Sequence, residues 1–437
     1  MVVRGLETTR KALAAAVAST TLCVALVSPM AQAQETTAEV RGVVVNSTGT
    51  PLEGATIIVT SKSTGISKTV EANANGGYSV RGLPAGVVYD VEVTADGLQK
   101  SMTKDVSLTV GQSAVLNYNL STVEEVLVTG TQVVVAQTAV GPNAIFDIAA
   151  LQDSPSVNRN INDIIQQDPR LYVDQSRGDI DAVQCNGANP RYNSLTVDGV
   201  RLNDGFGLNS NGYPTQRMPF PYDAISSVAV EMAPMSVVYG GFSACNINAV
   251  TKTGRNEIYG SAFFDYGSDQ LRGDKLEGDS IAQQDYSETR YGFELGGALI
   301  QDKLFFYGAY EKYDGADLNN RGAIGSGAVN EVPVTQAELD RIAQIARDVY
   351  GYEPGRTVSE AFDFDDEKYL VKLDWYASDS QRLSMTYMHN DSFNFTPSDG
   401  DLDEFEFDKH FYKRGAELTT YNINWYADWS DNLSTEV

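Results

Sequence analysis

Histidine and cysteine are scarce in this chain, with two histidines and three cysteines among 437 residues. The two histidines, His389 and His410, lie far along the chain and show no spacing typical of zinc ligands. No pairing of a nucleophile with a base and no phosphate-binding loop is recognisable either. The sequence therefore predicts no metal site, no cofactor and no catalytic site, and an enzyme is the least favoured class of protein.

Basic residues and long apolar runs are also few. The chain has 32 lysines and arginines against 58 acidic residues, a formal net charge of -26 and a pI near 4.4. This balance argues against a nucleic-acid partner, which requires a basic surface. Beyond residue 33 no apolar stretch has the length of a membrane helix, so any membrane span would consist of β-strands.

The N-terminus has the composition of a secretory signal peptide. Three basic residues, Arg4, Arg10 and Lys11, precede an apolar run over 12–27, and a small-residue site ends at Ala33. A charged start, a short apolar core and a small-residue end are typical of a cleaved signal rather than a membrane helix. We expect residues 1–33, including Cys23, to be removed on export.

Two cysteines remain after this cleavage, Cys185 and Cys245. In an exported protein an even pair of cysteines most simply forms a disulfide, because the periplasm is oxidising. The pattern therefore predicts a disulfide between them. Two buried free thiols are the alternative reading.

Residues 34–121 contain short β-rich runs separated by turns that are rich in Gly, Asn and Asp, a pattern typical of a small β-sandwich. The segment resembles the carboxypeptidase-regulatory-like domain in the runs GVVV at 42–45, PLEGA at 51–55, GYS at 77–79 and LPAG at 83–86. That resemblance implies an immunoglobulin-like accessory module and not a peptidase. We expect a spacer or docking module.

An apolar, β-forming stretch with acidic residues at its head follows over 122–131. By its residues alone it is an edge strand or a linker. It resembles the TonB box of outer-membrane receptors and stands where that box stands, and an extended segment can be captured by a partner sheet through β-augmentation. The resemblance implies TonB binding by Glu124, Glu125, Val126, Leu127, Val128, Thr129 and Gly130.

Residues 132–256 resemble the plug domain of TonB-dependent receptors through an ordered series of motifs. A helix predicted over 161–170 and a strand over 171–173 are followed by a strand ending in an Asp-Gly turn at 198–199 and by a closing motif over 225–254. One departure is Met232-Ala233, where the family usually has Arg-Gly before the proline. The resemblance implies these plug-motif residues: Arg191, Asp198, Gly199, Glu231, Pro234, Tyr239, Gly240, Asn248, Thr251, Lys252 and Gly254.

From residue 257 onward, aromatic residues alternate with small or polar ones in runs of about ten, which is typical of membrane strands. A soluble β-sandwich would give a similar alternation. The connections favour a barrel, because three tight turns alternate with long acidic loops, and one loop contains a helix predicted over 334–350. Since a plugged transporter barrel has about 22 strands, we expect 257–437 to be the first part of an incomplete barrel.

Together these patterns predict a mainly β protein with an immunoglobulin-like β-sandwich, an α+β plug domain and a partial antiparallel transmembrane β-barrel. The resemblance to Oar-like TonB-dependent receptors implies an outer-membrane receptor for TonB-energised nutrient uptake, with the sandwich in the periplasm. Expected partners are TonB with its inner-membrane energising complex, outer-membrane lipids and a small-molecule, peptide or glycan substrate. A non-energised barrel for adhesion or protein export is the alternative.

Overall fold

The computed structural model describes residues 36–110, 113–122, 143–154, 156, 158–174, 182–207, 209, 211–233, 239–273, 275–280, 285–317, 321–328, 330–357, 362–396, 405–430 and 433–437. The predicted signal peptide, the predicted TonB-binding segment and Pro234 lie outside these residues. The described chain forms an N-terminal sandwich, a middle α+β domain and a C-terminal antiparallel sheet. The predicted fold class is confirmed.

The N-terminal domain, called the sandwich below, packs two sheets face to face. One sheet has the order β4-β1-β7 with β8 also paired to β1, and the other has the order β3-β2-β5-β6. Alternate side chains of both sheets, among them Val40, Ile57 and Val91, are fully buried between them. The strands are β1 (Thr37–Asn46), β2 (Thr56–Ser61), β3 (Ser67–Glu71), β4 (Gly77–Pro84), β5 (Val87–Thr94), β6 (Ser101–Leu108), β7 (Ser113–Val115) and β8 (Tyr118–Leu120).

Strands β3 and β6 are not recognisable from the pattern of the sequence. Both lie at the edges of their sheet, and their sequences SKTVE and SMTKDVSL are mostly polar. An edge strand contacts the core through few side chains and is often charged, so its hydrophobic period is weak.

The middle domain, called the plug domain below, contains a five-stranded sheet with the order β13-β12-β15-β14-β9. Strand β9, at one edge, is the first element after the 123–142 segment and pairs antiparallel with β14. The elements are β9 (Asn143–Phe146), α1 (Ile148–Asp153), α2 (Ile161–Ile165), β10 (Leu171–Asp174), β11 (Ala182–Cys185), β12 (Ser194–Val197), β13 (Val200–Arg201), β14 (Ile225–Glu231) and β15 (Asn246–Thr251).

The helix predicted over 161–170 ends earlier than expected. The Asn160 side chain accepts from the backbone of Asn162 and caps the start of α2, but Gln166 already ends the helix. Residues 166–170 continue as turns before β10. The apolar residues Ile161, Ile164 and Ile165 are fully buried, whereas the turn that follows is polar and carries no further apolar repeat. The length of α2 therefore follows the apolar face rather than the position of Pro169.

The C-terminal strands form one antiparallel sheet, called the barrel sheet below, with the order β16-β19-β20-β23-β24-β25-β26. Its strands are longer than predicted, because charged residues that were assigned to the long loops continue the pairing. The connections over 301–303, 379–380 and 431–432 are short, and the others are long. The strands are β16 (Tyr259–Ser268), β19 (Ser287–Ile300), β20 (Leu304–Asp317), β23 (Phe362–Ser378), β24 (Gln381–Thr396), β25 (Tyr412–Ser430) and β26 (Leu433–Glu436).

The long connections carry small elements of their own. The predicted loop helix is present, begins at a capping box on Thr335 and ends at a left-handed Gly351. Only part of its apolar side packs on the loop, since Leu339 is buried but Ile342 is 51% exposed. The elements are β17 (Lys275–Leu276), β18 (Asp279–Ser280), β21 (Arg321–Ile324), β22 (Asn330–Thr335) and α3 (Gln336–Tyr350).

The burial of β23 distinguishes a membrane sheet from a soluble one. Its inner positions Lys372 and Asp374 are 5% and 1% exposed, whereas the outer positions Val371 and Trp375 are 50% and 49% exposed. In a soluble protein the apolar face would be buried and the charged face hydrated. The reversed arrangement suits a strand with lipid on one side and a filled lumen on the other.

None of the helices in the described part of the chain is long and apolar enough to cross a membrane.

Candidate functional site

The Asp-Gly turn between β12 and β13 is the centre of the contact between plug domain and barrel sheet. Asp198 and Gly199 both have left-handed backbone angles, with φ of 47° and 82°. Glycine takes this conformation freely and aspartate tolerates it better than most residues. The turn projects Asp198 towards the inner face of β23, β24 and β25.

The Asp198 carboxylate joins the two domains through several donors. Inside the plug domain, the backbone N–H and hydroxyl of Thr251 donate to it at 2.9 and 2.6 Å. From the barrel sheet, Lys372 Nζ lies 3.1 Å and Thr386 Oγ1 lies 3.2 Å from Oδ2. The backbone carbonyl of Asp198 also accepts from Asn422 Nδ2 at 2.8 Å. A buried charge is tolerated only when it is paired and fully hydrogen-bonded, and Asp198 meets that condition.

A second contact between the plug domain and the barrel sheet involves Lys252, the residue after Thr251. Lys252 Nζ lies 2.9 Å from both carboxylate oxygens of Glu294 on β19. Tyr307 on β20 donates to the same carboxylate at 2.6 Å, and Ser261 on β16 donates at 3.1 Å. Side chains from three barrel strands thus meet at the carboxylate that pairs with Lys252.

Residues 253 and 254 then pass close to the inner face of the barrel sheet. Thr253 Oγ1 donates to Asp374 at 2.5 Å, and Arg382 on β24 pairs with the same carboxylate at 3.1 Å. A Cβ added to Gly254 would overlap the backbone carbonyl oxygens of Gly297 and Phe306. Only glycine allows this approach of two backbones.

A third contact lies on the other side of the plug domain. Arg159 pairs with Asp223 at 2.6 Å and stacks on Phe263 of β16, with the guanidinium carbon 3.5 Å from the ring centre. It also faces Glu311 of β20 at 3.8 Å. A stacked guanidinium with carboxylate partners is a favourable buried cation.

Neighbouring Tyr222 ties this region to α1. Burial, partly opposed by the charge of Arg159, raises the pKa of Tyr222 to about 12. The phenol therefore stays neutral at ordinary pH and donates to the carbonyl of Leu151 at 2.8 Å.

The structure brings together only part of the predicted motif. Asp198, Gly199, Thr251, Lys252 and Gly254 form the contact with the barrel sheet. The other described residues lie elsewhere: Asn248 accepts from Thr196 at 2.9 Å within the plug sheet, Glu231 is buried at the end of β14, Arg191 donates to the carbonyl of Gly207 at 2.9 Å, and Tyr239 and Gly240 are half-buried.

Cys185 and Cys245 are joined by a disulfide, with their Cα atoms 6.0 Å apart. The separation lies in the usual range for this bond. It connects the end of β11 to the residue before β15 and so closes a loop that contains Asp198.

The sequence reading missed the barrel partners and Arg159. Lys372 and Asp374 alternate with apolar residues in β23, and Glu294 lies between Phe293 and Leu295 in β19. Charges at every second position of an otherwise apolar strand indicate a polar lumen face and were an available signal. Arg159 lies in an irregular segment with a φ of 50°, and no pattern in the sequence indicates its role.

Groups of acidic, histidine or cysteine residues able to hold a metal ion do not occur in the described ranges.

Comparisons with known proteins agree with this architecture. A family model for the carboxypeptidase regulatory-like domain matches residues 39–121, and a model for the TonB-dependent receptor plug domain matches residues 135–245. A curated relative is the TonB-dependent transporter Oar of Myxococcus xanthus, 24% identical over 276 residues. The match covers 59% of this chain and 25% of that protein, so the matched part spans about a quarter of the relative's length.

Two outer-membrane proteins of solved structure align with part of this chain. The outer membrane transporter YddB from Escherichia coli aligns with a TM-score of 0.44 and 14% identity, over 65% of this chain and 36% of that chain. A mutant of the ferric enterobactin receptor PfeA from Pseudomonas aeruginosa, in complex with enterobactin, aligns with a TM-score of 0.44 and 14% identity. The alignment covers 66% of this chain and 39% of that chain.

The matched families consist of receptors and transporters rather than enzymes. The chain thus matches the carboxypeptidase regulatory-like domain family and, after it, the plug domain family of TonB-dependent receptors, and it is similar in part to a TonB-dependent transporter.

Proposed function

We propose that this chain supplies the gate of a receptor that takes up a nutrient across the outer membrane with energy delivered by TonB. The observation that carries the proposal is the set of buried ionic contacts between plug domain and barrel sheet, centred on Asp198–Lys372 and Lys252–Glu294. No covalent chemistry is involved. Substrate would bind on the long-loop side, and movement of the plug domain would open a path along the lumen.

The ionic character of this contact suits a gate. An apolar interface would disfavour the entry of water throughout the opening, whereas paired charges and amides can exchange their partners for water as the plug domain moves. While the pairs are intact, a few specific side chains hold the plug domain on the barrel sheet. Once those pairs separate, the lumen face is polar and readily hydrated.

The segment that contains residues 124–130 is the site at which TonB would bind and apply force. It connects β8 of the sandwich with β9, the edge strand of the plug sheet. A β-forming sequence of this kind can add as a strand to a sheet of TonB, which is anchored to its inner-membrane energising complex. Force applied there would reach the plug domain first at β9, which is only four residues long.

We assign the domains as a signal peptide over 1–33, a periplasmic sandwich over 34–121, a TonB box over 122–131, a plug domain over 132–256 and the first part of a barrel over 257–437. The short connections would face the periplasm and the long acidic loops the exterior. The outer face of the barrel sheet would contact membrane lipid. The Cys185–Cys245 disulfide would limit how far the plug domain can unfold.

The substrate is proposed at the level of class. Specificity in such receptors resides in the loops and not in the shared fold. The combination of an accessory domain and a plug domain resembles Oar-like receptors, and that resemblance favours a peptide or another polymer-derived nutrient.

The test deletes residues 124–130 from the full-length receptor and compares it with a matched deletion of 132–138, which shortens the same connection by the same length. Crosslinking to TonB in cells and uptake of a labelled tryptic peptide mixture are measured for both. We expect the first deletion alone to abolish both signals. Undiminished uptake, or equal uptake in cells without TonB, would favour the alternative of a non-energised barrel. TonB crosslinking without peptide uptake in the parent receptor would contradict the peptide class alone.

A further inference from the structure

The sandwich contacts both the plug domain and the short-turn edge of the barrel sheet. On the plug side, Ala85 and Val110 pack against Ala229 and Val250 in a small buried cluster with Ile145. At Gly86 the backbone approaches β14 so closely that an added Cβ would lie 2.7 Å from Ser226 Oγ. The sandwich therefore covers one face of the plug sheet.

The barrel side of this contact is polar. Lys68 pairs with Asp428 near the end of β25 at 2.8 Å, and Thr36 Oγ1 lies 2.7 Å from the hydroxyl of Tyr426. Asn256, after the last plug strand, donates its backbone N–H to the carbonyl of Ser63 at 3.0 Å. These contacts hold the sandwich across the border between plug domain and barrel.

A polar cavity at this border connects the sandwich with the gate. It is lined by Thr36, Pro84 and Ala85 of the sandwich, and by the Asp198–Lys372 pair. Thr251 and Arg382 are among the other polar residues of its wall. With the sandwich docked, Asp198 and Lys372 are 4% and 5% exposed. The sandwich thus forms part of the wall that separates this pair from the short-turn side.

Removal of that cover would weaken the pair. The attraction between two charges falls several-fold when water replaces protein around them, and water then stabilises each charge in place of its partner. The sandwich is attached more weakly than the plug domain is attached to the barrel sheet. The side chain of Asp428 in the Lys68–Asp428 pair is 41% exposed, and the apolar cluster under the sandwich consists of small residues. A pull on the segment between β8 and β9 acts on both domains and would separate the sandwich first.

We propose that the sandwich is a releasable lid on the Asp198–Lys372 pair: docked, it keeps the pair dry, and when pulled away it admits water and loosens the plug domain. The proposal rests on the TonB-energised function proposed above. It adds a step, in which the lid opens before the plug domain moves.

The two faces of the plug sheet offer a matched pair of reporters. Ala229 on β14 faces the sandwich, whereas Ala249 on β15 faces the plug core, and the two are 1% and 0% exposed. Ala229→Cys and Ala249→Cys are placed separately in the full-length receptor, where Cys185 and Cys245 are bonded to each other. Reaction with N-ethylmaleimide is followed in cells with and without TonB, and crosslinking to TonB is measured in the same cells.

If the sandwich is a releasable lid, TonB should raise the rate of N-ethylmaleimide labelling at least tenfold for Ala229→Cys and change the rate less than twofold for Ala249→Cys. Equal acceleration at both positions would mean that the plug domain comes apart as a whole and would overturn the lid. Protection of Ala229→Cys despite TonB crosslinking would overturn the lid and leave the uptake function intact. Failure to crosslink TonB would refute the energised function, and the lid with it. Val250→Cys and Val228→Cys, on the same two faces, replace the first pair if either variant fails to fold.

Discussion

Lys252 of the plug domain points its ammonium group at Glu294 of the barrel sheet and lies 2.9 Å from both carboxylate oxygens. Each side chain is about nine-tenths buried. Taking one partner away leaves the other charged, buried and unpaired, which is more costly than never having the pair. The contact therefore acts as a specific connection between two domains rather than as a general source of stability.

Glu294→Ala should release the plug domain from the barrel sheet more easily. The uncompensated lysine is expected to cost about 3–5 kcal/mol, because a buried pair is broken on one side only. The measurement is the urea midpoint for proteolysis of the plug domain in the purified receptor. Lys252→Met combined with Glu294→Leu should recover most of the loss. Lys62→Ala, at an exposed pair within the sandwich, is the control and should change nothing measurable. A midpoint for Glu294→Ala equal to that of the control would contradict the assignment.

Gly254→Ala should prevent the plug domain from seating against β19 and β20. The new Cβ would overlap two backbone carbonyl oxygens, which cannot move aside as a flexible side chain can. We expect faster proteolysis after residue 254 and loss of the Lys252–Glu294 contact. The matched control is Gly205→Ala, where the structure leaves open space around the added atom. Equal protease resistance of the two variants would show that the close approach is not required.

Reduction of the Cys185–Cys245 disulfide should destabilise the plug domain. The bond closes a loop with a sequence separation of 60 residues. Loss of this constraint on the unfolded chain corresponds to roughly 4 kcal/mol in the chain-entropy treatment. Dithiothreitol should lower the urea midpoint of the wild-type plug domain and leave Cys185→Ser/Cys245→Ser unchanged. If the wild type does not respond, the alternative of two free thiols is correct.

Acid should weaken the sandwich through Glu39. Burial acts to raise the pKa of Glu39, but hydrogen bonds from Ser79, Ser113 and Arg81 outweigh it and hold the pKa below its usual value. A carboxyl group with a lowered folded-state pKa stabilises the fold above its unfolded pKa, and this contribution is lost as the pH falls through the folded value. The urea midpoint of the sandwich in the intact receptor should therefore fall below about pH 4.3, the ordinary glutamate pKa. Glu39→Gln should flatten this part of the profile, and parallel profiles for the two proteins would refute the role of Glu39.

Much of the architecture was readable from local patterns. The alternation in the C-terminal part predicted where β19, β20, β23 and β24 lie, and the Asp-Gly pair predicted the turn after β12. The loop helix could be predicted from its apolar repeat, and the structure adds the capping box on Thr335 that marks its start. The predicted resemblance to TonB-dependent receptors is confirmed by the match to their plug domain family and by the similarity to a TonB-dependent transporter. The edge strands β3 and β6 and the early end of α2 were not predicted, because polar edges and short turns leave no period to detect.

The sequence by itself determined the order of the domains and the alternation of the strands, since these depend on neighbours within a few positions, and its resemblance to the plug domain family supplied the candidate residues Asp198 and Lys252. Only the tertiary structure decided which partners they meet, because Lys372 lies 174 residues from Asp198 and Glu294 lies 42 residues from Lys252. The same holds for the seat of the sandwich beside the Asp198–Lys372 pair. An ionic contact across such distances depends on the three-dimensional path of the chain, and no local hydrophobic period records that path.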